Sequence, residues 1–176
     1  MDNTAFWELL EHSRHETADQ DERTEWLTGR LAGLAPRDVV DFQVHVDLVR
    51  ARIDTWPLWG AAYLIGDGCS DDGFHYFQGW VIGLGRDAVE RAAADPDSLA
   101  DVDWSSGEIP EWEELDLVAP EAYRQLTGEP EGLHEALTAR GHQVRSTTSG
   151  EDWDFDDAEE TTRRLPRLSA ALRVAS

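Results

Sequence analysis

The chain has 176 residues, 40% of them hydrophobic and eight of them tryptophan, and a formal net charge of -22 in which all fifteen basic residues are arginine. The absence of lysine excludes Schiff-base chemistry, a phosphate-loop lysine and a lysine general base, while the negative charge excludes non-specific binding to nucleic acid or an anionic membrane, which needs clustered cations. One cysteine permits no internal disulfide, and the lack of a signal pattern or long apolar run makes cytoplasmic residence the expectation.

A chain of this length can bury one sizeable core, with the tryptophans offsetting a modest apolar fraction. Phe6, Trp7, Leu9 and Leu10 open a first short helix. Asp19 caps a second, on which Trp26, Leu27, Leu31 and Leu34 form an apolar stripe. Gly33 and Pro36 end it, and Pro36 begins a third. Here Val39, Phe42, Val46, Val49 and Ile53 alternate steps of three and four, with Asp38, Asp41, His45, Arg50 and Arg52 elsewhere on the cylinder. His45 reads as a boundary or solvent residue. Trp56-Pro57 starts a short apolar helix, for which Gly66 is the left-handed stop. Ser70 caps the next, with Asp71 and Asp72 in its first turn. Phe74, Phe77, Val81, Leu84 and Ala88 predict that it runs to Ala94, with a kink at Gly83 or Gly85.

Beyond Pro96 the pattern changes. Between Asp95 and Glu160 there are 20 acidic and 3 basic residues, whereas the last sixteen residues hold four arginines and no acid. These opposite signs predict a tail that folds back on the body. Ser98 to Glu114 reads as irregular, pinned by Trp104, Ile109 and Trp112. Short helices are predicted over Pro120 to Leu126 and Pro130 to Arg140, and a mobile link over Thr147 to Gly150. The fold class is therefore all-α or predominantly α, a compact helical core with an acidic, partly irregular C-terminal third. Residues 1–146 are expected to form a helical domain, with 147–176 as a linker and an acidic/basic segment docked on it.

Chemistry concentrates between Gly66 and Gly85. Asp67, Asp71, Asp72 and His75 offer oxygen ligands and an imidazole within nine positions, and Asp71 and His75 share a helix face. A divalent metal is thus the candidate cofactor, with Asp71 and His75 as its ligands. Against it, aspartates in a first turn stabilise the helix end by about 0.3 to 1 kcal/mol each with no ligand present. Cys69 precedes a helix start, where a thiol can be activated, but a lone cysteine in a turn is commonly a small packed residue. Gly83-Leu84-Gly85-Arg86-Asp87-Ala88 matches a dinucleotide glycine pattern but lacks the buried strand that must precede it. Arg86 is expected to pair with a carboxylate of the same pocket, beside a buried Trp80. Trp26, Trp56, Trp59 and Trp80 read as core, and Trp104, Trp112 and Trp153, lying among acids, as an exposed contact patch.

The run GDGCSDDGFHYFQGWVIGLGRDAVERAAADPDSLADV, with FWELLEH, LWGAAYLI and WDFDDAEETTRRLPRL around it, resembles the bacterial family catalogued as domain of unknown function 4240. The resemblance implies an intracellular, largely helical protein and no particular reaction. Two functions follow from the residues. One is a binding or regulatory module, taking a basic protein segment or small ligand through an acidic-aromatic surface and a pocket of Asp67, Cys69, Asp71, Asp72, His75 and Arg86. The other is a metal-dependent hydrolase using Asp67, Asp71, Asp72 and His75.

Overall fold

The computed structural model describes residues 1–104, 110–143 and 147–175. In chain order its helices are α1 (Asn3–Glu16), α2 (Gln20–Ala32), α3 (Pro36–Ile53), α4 (Trp56–Gly66), α5 (Asp71–Gly83), α6 (Arg86–Ala94), a 3-10 helix (Pro96–Asp101), α7 (Leu115–Thr127), α8 (Gly132–Ala139), α9 (Ala158–Arg164) and α10 (Pro166–Ala175). Among the described residues there is no strand, only an isolated bridge between Thr55 and Ser149. None of these helices is long and apolar enough to cross a membrane. The chain is all-α, and it forms two compact units that interleave along the sequence: residues 1–51 with 112–145, and 52–111 with 146–176.

In the first unit α2 lies along α7, α1 packs on α2, and α8 packs on α7. Asp19 accepts the Glu22 N–H at 3.0 Å and so starts α2, and Pro36 opens α3. Phe6, Leu10, Leu27, Leu31, Val39, Phe42, Val46, Leu115 and Val118 build the core. Arg50, expected on the polar face of α3, is buried instead, with Nη1 2.7 Å from Asp116. His45 is half-buried, its ring 5.2 Å from that of Phe6.

Two further expectations are overturned here. Pro120 lies inside α7 rather than at its start, because Leu115, Val118, Ala119 and Ala122 bury one continuous stripe. That burial outweighs the roughly 3 kcal/mol cost of an internal proline. Trp112 is 1% exposed, and so no part of a contact patch. Its indole N–H donates to Thr24 Oγ1 at 2.9 Å, and the Arg23 guanidinium lies 4.5 Å from its ring centre. Acidic neighbours in sequence mislead because an indole with a partner for its N–H can be buried whole.

In the second unit α10 packs on the 3-10 helix and on α4, α9 packs on α10, and α5 contacts α4 and α6. The single helix expected from Asp71 to Ala94 is broken, because Gly85 takes φ 98, a left-handed conformation that ends α5 and serves as the N-cap position of α6. Thr147 to Gly150 is pinned rather than free: Ser149 N–H donates to Asp54 O at 3.1 Å, and Trp56 N–H donates to Ser149 O at 2.8 Å. Trp56, Trp59 and Phe74 form a stack with ring centres 5.3 and 4.6 Å apart. Trp80, expected in the core, is half-buried against Phe77 and Trp104. Ile109 lies outside the described residues. The tail docks through Asp97, which is 5% exposed and accepts the N–H groups of Leu168 and Arg167 at 2.8 and 3.1 Å.

Candidate functional site

Two clefts of the second unit share the turn between α4 and α5. Thr55 starts α4 by accepting the Leu58 N–H at 3.2 Å, with Pro57 in the first turn. The helix ends on Asp67, not Gly66, as the left-handed residue, with φ 51 and ψ 43. A short polar side chain tolerates that conformation where a bulky one does not. The N–H groups of Asp67 and Gly68 both return to Tyr63 O, so Asp67 sits one turn beyond Tyr63. Gly66 and Gly68 line one cleft, and Asp67 lines the other.

The first cleft, about 210 Å3, is lined by Gly66, Gly68, Cys69, Ser70, Phe77 and Glu111 among others. Ser70 Oγ accepts the Gly73 N–H at 3.1 Å, the cap expected from the sequence. Burial, then the carboxylates of Glu111 and Asp71, push the Cys69 thiol up to about 11. A helix start ordinarily favours a thiolate, but here desolvation and two negative charges outweigh it.

The second cleft, about 310 Å3, joins α4 to the tail. Gly60 makes the approach possible, because a Cβ there would lie 2.2 Å from Trp153 Cζ2. The Trp153 N–H donates to Thr161 Oγ1 at 3.1 Å, and the Arg164 guanidinium covers its ring at 4.7 Å. Trp153 meets Phe155 edge-on at 4.8 Å, and Phe155 lies 5.4 Å from Tyr63. The Tyr63 hydroxyl donates to Asp156 Oδ1 at 2.7 Å. That bond and the negative charge of Asp156 raise the phenol above its ordinary value. Thr162, Ser169 and Arg173 contribute the wall from α9 and α10.

The residues proposed from sequence do not form one pocket. Asp67 and Cys69 face different clefts. Asp71 and Asp72 are exposed in the first turn of α5, and His75 is half-buried, its ring edge-on to Tyr76 at 6.0 Å. Arg86 is exposed on α6, where its Nε donates to Glu90 Oε1 at 2.9 Å. Among the described residues no group of three or more His, Cys, Asp or Glu side chains is placed to hold a metal ion. The sequence reading missed Tyr63, Phe155, Asp156, Ser169 and Arg173. A signal was present in the four-residue spacing of Tyr63 and Asp67 and in the alternating acids and aromatics of Trp153 to Asp157.

The family model described as "Protein of unknown function (DUF4240)" matches residues 1–125. No curated protein matches the chain, and no solved structure does. The matched stretch includes Tyr63 and Asp67 and ends before Trp153, so the tail half of the second cleft lies beyond it.

Proposed function

The chain belongs to the DUF4240 family of proteins of unknown function, and we propose that it is a binding module whose second unit receives a cationic group between Tyr63, Asp67, Phe155 and Asp156. The observation that supports this reading is the meeting of two carboxylates and two aromatic rings in one concave space of about 310 Å3. A cation gains about 0.5 to 2 kcal/mol over an aromatic face, and roughly 0.2 to 1 kcal/mol beside each exposed carboxylate. A neutral ligand gains neither. Concavity adds contact with the ligand on several sides at once, which a flat acidic surface lacks.

The test is a titration of the full chain with butylguanidinium and, in parallel, its neutral analogue butylurea, read by tryptophan fluorescence. Trp153 reports on the cleft because it packs against Phe155. Saturable quenching by the cation alone is expected, weakened roughly two- to fivefold by Asp67→Asn or by Asp156→Asn. An equal response to both probes, or no saturation by either, would overturn the reading.

A further inference from the structure

We infer that the ligand carries a carboxylate as well as a cation, the chemistry of a basic α-amino acid, free or at the C-terminus of a peptide. The inference rests on the cation-binding reading above and concerns the residues that α9 and α10 contribute to the same cleft. Ser169 and Arg173 are four residues apart on α10, hence on one face, and both line the cleft with Thr162 of α9.

Two observations point to an anion there. The first is Arg173 itself. Of the four arginines on α9 and α10, Arg163 pairs with Glu160 at 2.5 Å, Arg164 with Glu151 at 3.0 Å, and Arg167 with Asp101. Arg173 has no carboxylate at ion-pair distance among the described residues, and its Nη2 lies 3.5 Å from the neutral hydroxyl of Thr162. A chain with a formal charge of -22 has no shortage of acids, and Asp156 in this very cleft is bonded to Tyr63 instead. The planar fork of a guanidinium matches the two oxygens of a carboxylate.

The second observation is Ser169. The residue is 5% exposed, and its Oγ is buried with no hydrogen-bond partner among the described residues. A helical serine ordinarily bonds the carbonyl four residues back. Here Leu165 O receives the Ser169 N–H at 2.9 Å, and the hydroxyl bonds nothing among the described residues. A buried polar atom without a partner calls for a group that can supply one. In the cleft wall beside Arg173, a ligand oxygen answers that need after a rotation about the serine side chain.

Size and charge narrow the class. A cleft of about 310 Å3 is at the small end of ligand sites, which run from roughly 300 to 1,000 Å3, and suits one amino-acid residue better than a nucleotide. Asp67 and Asp156 repel a phosphate dianion. They attract the side-chain cation of a ligand whose carboxylate lies at Arg173.

The experiment is calorimetry of the full chain with L-arginine, N-acetyl-arginine, argininamide and agmatine. Arginine is expected to bind roughly three- to tenfold more tightly than argininamide and agmatine, which keep the cation and lack the carboxylate. Binding of N-acetyl-arginine as tight as that of arginine marks a peptide C-terminus as the source, and weaker binding marks the free amino acid; either supports the inference. In Arg173→Met, an exposed position that folding tolerates, the preference for the carboxylate should vanish. Asp156→Asn should weaken all four ligands. Equal affinity for arginine, argininamide and agmatine in the unaltered chain overturns the inference and leaves the cation site standing. Failure of all four, together with failure of butylguanidinium, removes both.

Discussion

Asp97→Ala tests how the tail is held, and through it how the site is assembled. The carboxylate is 5% exposed and accepts the Leu168 N–H at 2.8 Å and the Arg167 N–H at 3.1 Å. These amides belong to the first turn of α10 and have no partner within their own helix. A side chain seventy residues earlier therefore acts as the cap. Hydrogen bonds to a charged group contribute about 1.5 to 3 kcal/mol, and loss of an ordinary N-cap costs about 0.5 to 2 kcal/mol. The two bonds share one carboxylate and do not add, so the expected loss is about 3 kcal/mol. Asp97→Asn retains one acceptor oxygen and should lose about half of that. Urea unfolding followed by circular dichroism gives the stability, and hydrogen exchange at Arg167 and Leu168 gives the local effect. Asp101→Ala is the control, since the Arg167–Asp101 pair is half exposed and its loss should cost less than about 1 kcal/mol. If Asp97→Ala costs no more than Asp101→Ala, with exchange at Leu168 unchanged, the tail is held by something else.

Because its proton is held up to about 11, Cys69 should react slowly with iodoacetamide near neutral pH, and faster only as pH rises toward that value. The folded state binds this proton more tightly than the unfolded chain does, so its contribution to stability is complete below the ordinary value of 9.0 and is lost as pH rises toward about 11. Alkylation at neutral pH as fast as that of an unfolded control would refute the burial argument. At the Arg50–Asp116 pair, Arg50 Nε and Nη2 are buried without hydrogen-bond partners among the described residues, whereas the Asp116 side chain is 33% exposed. Arg50→Met should therefore change stability by less than about 1 kcal/mol, while Asp116→Ala, which strands the buried cation, should cost about 2 to 4 kcal/mol. The reverse order in thermal unfolding would contradict this.

The helix starts were legible because they rest on local chemistry: Asp19 and Ser70 cap where their side chains reach a backbone N–H three residues on, and Pro36 opens α3. The stripe Val39, Phe42, Val46 was legible by its period, as all three are buried. What failed was whatever a distant residue decides. Arg50 follows the polar spacing of α3 but is drawn inward by Asp116. Trp112 stands among glutamates and is nonetheless buried, because Thr24 accepts its N–H from 88 positions away. Gly85 was recognised as a weak point, but a period of three and four cannot distinguish a kinked helix from two helices joined at a residue with φ 98. The dense cluster from Asp67 to His75 attracted a site assignment through composition alone. In space, Ser70 and the first-turn aspartates belong to the helix start, and Asp67 alone of that cluster lines the larger cleft.

The same division explains how residues of opposite charge come to line one cleft. Its acidic wall depends on contacts between α4 and the tail: Gly60 admits Trp153, which seats Phe155 beside Tyr63, and Tyr63 then fixes Asp156. Its basic wall depends on Asp97, which sets the start of α10 and hence the direction of Ser169 and Arg173 one and two turns along it. The acidic excess of the chain accounts for the ion pairs that fasten Arg163, Arg164 and Arg167. It does not account for Arg173, which lines the same cleft as two aspartates without joining either at ion-pair distance. Charges of opposite sign that line one cleft, each held by its own contacts and not joined to each other, suit a ligand that carries both charges.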